Sequence, residues 1–220
     1  WGVNRIEVSD LKERPMMVLL SLAALCALAA AQDENITDAN GWLNEGYRLA
    51  ANGSYEQALQ AYENATELDP GNEMAWINRG NILTRMNRTD EAGDAYRNAL
   101  HIIDEMIAAD PQNATLWTSS GLLLFNVGDY EQSVMAFDNA TSIDPEYEMA
   151  WKMKGVILTS ELSRNEEANA ALDRALEINP SDPLTWMAKG SALAALDRQD
   201  EAEAAYEKAK ELGYDPGDGV

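Results

Sequence analysis

Residues 42–70 read WLNEGYRLAANGSYEQALQAYENATELDP and carry a pattern that returns four more times along the 220-residue chain. A tryptophan is followed by a glycine four residues later, then a small residue, an aromatic or leucine, an alanine and, in most copies, a proline. The tryptophans are Trp42, Trp76, Trp117, Trp151 and Trp186, separated by 34, 41, 34 and 35 residues. A period of this length predicts repeated structural units that stack on one another.

The chemistry of the repeated positions favours a helical hairpin. A small residue at a helix crossing lets two antiparallel helices approach closely, and an aromatic side chain fills the space beside it. Residues 52–54 (Asn-Gly-Ser) and 127–129 (Val-Gly-Asp) are turn signals between paired helices, and the closing proline stops the second helix. One such hairpin cannot bury its apolar face alone, so neighbouring hairpins are expected to pack together.

This pattern resembles that of the tetratricopeptide repeat (TPR) family, whose unit carries Trp, Leu-Gly, Tyr, Ala, Phe or Tyr, Ala and Pro on two helices. The resemblance implies an all-α fold, a right-handed α-solenoid of five antiparallel helix hairpins. The predicted repeats span residues 39–72, 73–113, 114–147, 148–182 and 183–216. A short polar stub at 32–38 precedes them and a tail at 217–220 follows. The family supplies protein-binding surfaces, so the resemblance implies binding rather than catalysis.

The second repeat is seven residues longer than its equivalents between Ala99 and Pro111. Seven residues are nearly two helical turns, so the helix can lengthen by about 10 Å and keep its facing. The added region, 101–109, contains Ile102, Ile103, Met106 and Ile107. One interpretation is a longer helix that covers its own neighbours, and the alternative is a projecting apolar contact.

The amino end has the composition of an export signal. Residues 16–31 read MMVLLSLAALCALAAA, fewer than the roughly 20 apolar residues that span a bilayer but suited to a signal peptide. Lys12 and Arg14 precede this segment, and small residues allow cleavage before Gln32. We therefore predict that residues 1–31 are an upstream segment plus signal peptide, and that the protein is secreted or on the cell surface. A buried helix, or retention of 16–31 as a membrane anchor, are the alternatives.

The charge and composition exclude several functions. With 38 acidic and 16 basic side chains, the net charge is −22, which opposes binding to nucleic acid or to an anionic membrane face. The chain has one Cys and one His, which excludes disulfide frameworks, Cys/His zinc sites and most catalytic pairs of a nucleophile and a base. His101 with Asp104 and Glu105 is interpreted as solvated surface. We expect no catalytic residue, no metal and no cofactor.

The resemblance places the partner-binding groove on the first helix of each hairpin. Its lining is predicted to be apolar and hydroxyl-bearing, which suits an extended or helical peptide with apolar anchors. The alternative is that part of this lining is core. The predicted groove residues are Leu43, Tyr47, Ile77, Asn81, Thr118, Leu122, Phe125, Lys152, Val156 and Met187.

Polar residues at the two ends of the stack suit a finite, soluble array. Arg48 stands in the first repeat, and Glu203 and Lys210 stand in the last helix. Head-to-tail pairing of these ends is the alternative, and it would make the protein a glycosylated structural subunit of a filament or surface layer.

Asn-x-Ser/Thr acceptor sequences for N-linked sugar occur six times, at Asn35, Asn52, Asn64, Asn87, Asn113 and Asn139. Together with the signal segment, these acceptor sequences predict an extracytoplasmic glycoprotein of a eukaryote or an archaeon. The high content of acidic residues weakly favours an archaeon. The function predicted from the sequence is a non-catalytic, exported scaffold that binds a protein or peptide partner.

Overall fold

The computed structural model describes residues 36–214, and these residues form ten α-helices and no β-strand. The predicted all-α fold is confirmed for this part of the chain. The helices are α1 (Ala39–Ala51), α2 (Tyr55–Leu68), α3 (Glu73–Arg85), α4 (Thr89–Ala109), α5 (Ala114–Val127), α6 (Tyr130–Ile143), α7 (Glu148–Ser160), α8 (Asn165–Ile178), α9 (Pro183–Ala195) and α10 (Gln199–Glu211).

Side-chain caps start four of the odd-numbered helices. The carboxylates of Asp38 and Asp182 accept hydrogen bonds from the backbone N–H groups of Gly41 and Leu184, at the starts of α1 and α9. Asn72 and Asn113 do the same for α3 and α5. Each cap satisfies a backbone donor that has no partner within its helix, so it fixes where the helix begins.

The turn inside each hairpin contains one residue in the left-handed conformation. Gly53 and Gly128 occupy it in the first and third hairpins, with φ of 75° and 85°. Glycine adopts this conformation without steric cost because it has no Cβ. Asn87, Ser163 and Asp197 take the same place in the other hairpins.

Within each hairpin, the repeated glycine lies directly against a large side chain of the second helix. A Cβ built on Gly80 would lie 2.5 Å from the Tyr96 ring, and one built on Gly155 would lie 2.5 Å from Leu172. Real Cβ atoms do not approach other atoms so closely, so only glycine fits. The equivalent contacts pair Gly46 with Tyr62, Gly121 with Phe137 and Gly190 with Tyr206.

The chain divides into two compact units, with the boundary between Asp69 and Pro70. The described part of the first unit is the hairpin of α1 and α2, in which the rings of Tyr47 and Tyr62 meet edge to face with centroids 6.0 Å apart. The second unit contains the four hairpins from α3 to α10, and its consecutive hairpins pack on one another.

One core cluster of the second unit spans the third to fifth hairpins of the chain. It contains Phe137 of α6, Ile157 and Leu158 of α7, and Leu172 of α8, all fully buried. Each hairpin contributes side chains to a core shared with its neighbour, which is how stacked repeats bury more apolar surface than one hairpin can.

Four of the tryptophans also bind the segment that precedes their own hairpin. The indole Nε1–H of Trp76 donates to the carbonyl oxygen of Pro70 at 2.9 Å, and that of Trp117 donates to Pro111 at 3.0 Å. The same bond joins Trp151 to Pro145 and Trp186 to Pro180. The repeat pattern predicts that these prolines stop helices. The structure shows that their carbonyl oxygens also accept hydrogen bonds from the tryptophans.

The long second helix of the second repeat, α4, has 21 residues. Ile103 and Ile107 of its added region are buried, with 3% and 7% exposure, whereas Met106 remains 37% exposed. α4 packs against α5 of the following hairpin. The added region therefore covers its neighbours through the two buried isoleucines, whereas Met106 and its polar residues, such as His101, remain exposed.

Candidate partner-binding surface

The predicted groove positions of the second unit lie on the first helices of its hairpins, α3, α5, α7 and α9. Most are accessible to a partner: Asn81 is exposed, and the others are half-buried. The half-buried ones are Ile77, Leu122, Phe125, Lys152, Val156 and Met187. Side chains of this kind are packed well enough to be held in place and open enough to contact a ligand.

The prediction that Thr118 lines the groove is wrong. Its side chain is only 4% exposed, and its hydroxyl donates to the carbonyl oxygen of Ala114 at 2.9 Å. Lys152 and Met187 occupy the equivalent positions of later repeats, and their longer side chains remain accessible. The short threonine side chain ends within the packing, so it belongs to the core.

Lys152 does not offer the groove a free positive charge. Its ammonium group lies 3.1 Å from a carboxylate oxygen of Asp182 and 3.5 Å from one of Glu148. Burial opposes ionisation of Asp182, but hydrogen bonds from Thr185 and Lys152 outweigh it and lower the pKa of that carboxyl. The ion pair of Lys152 with Asp182 therefore links α7 to the start of α9. Carboxylates of the same chain compensate the positive charge of Lys152.

The polar groups of this surface are concentrated towards its two ends. Near the first end, the Tyr96 hydroxyl donates to Asn81 at 3.0 Å and lies 3.1 Å from the Thr84 hydroxyl. Near the other end, the Tyr206 hydroxyl lies 3.5 Å from that of Ser191.

The repeats between these ends lack the equivalent hydroxyl group. Phe137 and Leu172 stand where the flanking repeats have tyrosine. Leu122 and Val156 accompany them on the first helices. Apart from the paired Lys152, the accessible groove positions in the middle of the surface are therefore apolar, a property that the repeat pattern already contains.

A cleft of about 490 Å³ opens beside Phe125. Its walls include Gly93, Asp94 and Arg97 of α4, together with Phe125 and Tyr130, whose ring centroids are 5.8 Å apart. Leu59 and Val134 occupy the position equivalent to Gly93 in the first and third repeats. The glycine leaves open space where those repeats place a side chain. The substitution of glycine at this repeat position is the sequence feature that could have predicted the cleft.

The comparison with known families agrees with the repeat pattern. A model of the tetratricopeptide repeat matches residues 43–114, 118–183 and 159–216. Together these matches cover more than half of the chain. The chain belongs to the tetratricopeptide repeat family.

Individual relatives are more distant. This TPR chain is 35% identical over 60 residues to an uncharacterized protein of Methanocaldococcus jannaschii, a match that covers 27% of this chain and 70% of that protein. A solved structure of YrrB, titled as a TPR protein with an unusual peptide-binding site, has a TM-score of 0.58 at 22% identity, covering 87% of this chain and 94% of YrrB. A structure of MamA has a TM-score of 0.58 at 18% identity, covering 79% and 91%. At these identities the two structures support the fold alone.

In the first unit, the predicted positions of the TPR groove are Leu43 and Tyr47. Leu43 is half-buried and Tyr47 is exposed. Burial, with Tyr47 nearby, raises the pKa of Tyr62 to about 12, so its hydroxyl remains neutral at physiological pH. This hydroxyl can donate or accept a hydrogen bond but carries no charge.

The residues proposed for end-to-end contact are all exposed. The guanidinium of Arg48 is paired with the carboxylate of Glu45 on the same helix, α1. Glu203 and Lys210 lie on the exposed side of the last TPR helix, α10. Because Arg48 already has a partner, contact with another chain would have to compete with that ion pair. Head-to-tail assembly stays a prediction.

The sugar-acceptor asparagines differ in accessibility. Asn52, Asn87 and Asn139 are exposed. Asn64 is half-buried and accepts a hydrogen bond from Gln60. Asn113 caps α5 and also donates to Asp110 at 3.3 Å, so its carboxamide is already engaged. Asn35 and the predicted signal segment lie outside the described residues.

The side chain of His101 is 77% exposed, and its Nδ1 lies 3.9 Å from Glu105. Within residues 36–214, no group of three or more His, Cys, Asp or Glu side chains is placed to hold a metal ion. Over the same range, no helix has the length and apolar character needed to cross a membrane.

Proposed function

We propose that this TPR protein is a non-catalytic scaffold that holds an apolar-anchored peptide segment of a partner protein on the first helices of its repeats. The observation that carries the proposal is the apolar middle of that surface, Leu122, Phe125 and Val156, with hydroxyl groups at both ends. Apolar side chains supply binding free energy, and polar groups at the ends orient a peptide backbone. The likeness to YrrB, whose title reports peptide binding, is consistent with this assignment.

The charge arrangement favours the same class of ligand. Lys152 is the only basic residue among the predicted groove positions, and it is paired with Asp182 and Glu148. The groove positions therefore offer no free cation to a terminal carboxylate of a peptide. Recognition would depend on apolar side chains within the peptide rather than on its terminus.

Two substitutions, one on α7 and one on α8, test this proposal. Val156 lies in the predicted groove, whereas Ala170 is an exposed residue of α8, the second helix of the same hairpin. Acetylated peptides with two leucines, spaced for a helix or for a strand, would be titrated by fluorescence anisotropy, and alanine peptides of the same length would serve as controls. We expect a leucine peptide to bind and Val156→Lys to weaken it by about tenfold, because a charge then enters the apolar contact.

Ala170→Lys adds the same charge to α8 and should leave the affinity within about twofold, as expected of a residue outside the contact. Binding that is insensitive to Val156→Lys would contradict the proposal. So would equal binding of alanine peptides, or no binding by any peptide of the series.

The proposal includes export of the chain. In it, residues 16–31 direct secretion, and sugars are attached at the exposed asparagines Asn52 and Asn87. The intact mass of the native protein is expected to correspond to a chain that begins at Gln32 and carries added hexose mass. A native mass that includes residues 1–31 and no added sugar would refute the export and glycosylation parts while leaving the peptide-binding test unaffected.

A further inference from the structure

The fourth and fifth hairpins each contain a bridge between a carboxylate, a lysine and a tryptophan. The ammonium group of Lys154 lies 5.3 Å from the ring centroid of Trp151 and 2.5 Å from Asp138 on α6. A cation over an indole face is attracted by the electron-rich ring, and the carboxylate balances its charge. The bridge therefore links the first helix of one repeat to the second helix of the preceding repeat.

The fifth hairpin repeats the arrangement. Lys189 lies 5.5 Å from the ring centroid of Trp186 and forms an ion pair with Asp173 of α8. In both bridges the lysine comes three residues after the tryptophan, and the aspartate comes 13 residues before it. This spacing is a rule that can be applied to the other repeats.

Around Trp117, the rule identifies a bridge that lacks its cation. Asp104 lies 13 residues before Trp117, where the two bridges have their carboxylate. Ser120 lies three residues after Trp117, where the bridges have lysine. Asp104 belongs to the added region of α4, so the seven extra residues place a carboxylate at the expected position before the third hairpin. The anion and the indole are retained, and the ammonium group is absent.

The space for a cationic side chain is open. A cleft of about 270 Å³ is lined by Asp104, Trp117, Ser120, Gln132 and Met135, among others. A cleft at the equivalent position of the fifth hairpin is lined by Trp186, Lys189, Glu201 and Ala204, each 69 residues further along the chain than its counterpart. Lys189 forms part of that wall, and the short side chain of Ser120 takes the equivalent place in the third hairpin.

The electrostatics of the cleft favour a cation. Burial raises the pKa of Asp104, against a smaller opposing effect of His101. Among the described residues, no lysine or arginine forms an ion pair with Asp104. A cation bound here would compensate a partly desolvated carboxylate, and the net charge of −22 would favour its approach.

We propose that this cleft binds a lysine side chain of a partner protein, with the ammonium group placed between the Trp117 ring and the Asp104 carboxylate. The occupant is inferred from Lys154 and Lys189, which fill the equivalent position within this chain. The cleft shares no residue with the predicted groove. The inference therefore does not rest on the proposed function.

The test uses N-acetyl-lysine N-methylamide as the probe and its uncharged norleucine analogue as the matched ligand. Binding to the full chain would be followed by NMR through the indole N–H signal of Trp117, assigned from the spectrum of Trp117→Phe. We expect the lysine probe to shift this signal saturably, and increasing salt to weaken the effect, as for a partly exposed ion pair. The norleucine analogue should produce no saturable shift.

Two variants remove the site in different ways. Asp104→Asn removes the negative charge and should lower the affinity for the lysine probe by about tenfold, as expected for the loss of a charge-assisted contact. Ser120→Lys supplies the missing lysine from within the chain and should abolish probe binding. Glu105→Gln removes one negative charge from the same turn of α4 without touching the cleft lining, and it should bind the probe as the natural chain does.

The inference is overturned if the lysine probe gives no saturable shift, if norleucine binds equally well, or if Asp104→Asn and Glu105→Gln have equal effects. Should Ser120→Lys fail to fold, as judged by circular dichroism, Asp104→Asn alone still decides the question.

Discussion

The hairpin interiors and the groove face of this protein differ in how they vary along the chain. Inside the hairpins, one contact is made five times, a glycine against a large side chain of the second helix. On the first helices, the position one residue after that glycine holds Tyr47, Asn81, Leu122, Val156 and Ser191, five different residues. The repeated contact specifies the fold, whereas the proposal of peptide binding assigns ligand contact to the varied positions. Substitutions in the interior should therefore reduce stability, whereas those on the groove face should change binding.

The largest effect on stability is expected for Gly155→Val. A Cβ at this position would lie 2.5 Å from Leu172 and 3.2 Å from the carbonyl oxygen of Ala168, which as backbone cannot move aside easily. We expect a loss of about 3 kcal/mol in the free energy of unfolding, typical of overpacking a core, measured by urea denaturation.

Gly93→Ala is the control for a helical glycine without such a contact. Its Cβ would have only the end of the Arg97 side chain nearby, at 3.4 Å. The higher helix propensity of alanine should raise stability by up to about 1 kcal/mol. Equal losses for Gly155→Val and Gly93→Ala would mean that the close glycine contact does not determine the hairpin.

A smaller loss is expected for Trp186→Phe. This change keeps a large aromatic ring but removes the hydrogen bond to the Pro180 carbonyl and weakens the interaction with Lys189. Because Pro180 is exposed, water can partly replace the donor, so we expect a loss of about 1 kcal/mol.

Trp42→Phe provides the comparison, since among the described residues the Trp42 indole donates to no carbonyl group of the segment before its helix. Thermal unfolding followed by circular dichroism should show a smaller shift for Trp42→Phe than for Trp186→Phe. The reverse order would contradict the role assigned to the bond between tryptophan and proline.

The hydrogen bonds that the Asp182 carboxylate accepts from Thr185 and Lys152 predict a modest pH dependence of stability. The pKa of Asp182 is lower in the folded state than in the unfolded chain. Its contribution to stability is therefore fully present above the unfolded value of about 4 and is lost as the pH falls through the lowered folded value. Asp182→Asn should have a free energy of unfolding that falls less steeply over that acidic range.

Asp200→Asn, at an exposed position of α10, is the control for Asp182→Asn. It should reproduce the acid sensitivity of the natural chain in urea denaturation at several pH values. If Asp182→Asn and the natural chain lose stability in parallel as the pH falls, the ion pair with Lys152 has no such role.

The smallest effect on stability is expected on the groove face. Ser191→Ala removes an exposed hydroxyl that lies 3.5 Å from Tyr206 and should change the free energy of unfolding by less than about 0.5 kcal/mol. A loss above about 1 kcal/mol, measured as for the interior variants, would show that this position belongs to the framework of the fold.

The sequence predicts the all-α fold because the glycine, aromatic and proline positions recur at a fixed period and each has a local steric meaning. Contacts between residues distant in the chain could not be predicted in the same way. Asp182 neutralises Lys152 from 30 positions away, and the Trp117 indole meets the Pro111 carbonyl only after the chain has turned between helices. Thr118 is buried because its side chain is shorter than those at the equivalent positions of other repeats. A periodic pattern of residue types does not predict such a difference in length.

Hydrogen–deuterium exchange with and without a bound leucine peptide tests the proposed binding surface most directly. We expect slower exchange in α5 and α7, the first helices that carry the apolar middle of the proposed groove, and little change in α6 and α8. Protection confined to α6 and α8 would contradict the proposal, because the ligand would then be held by the second helices instead.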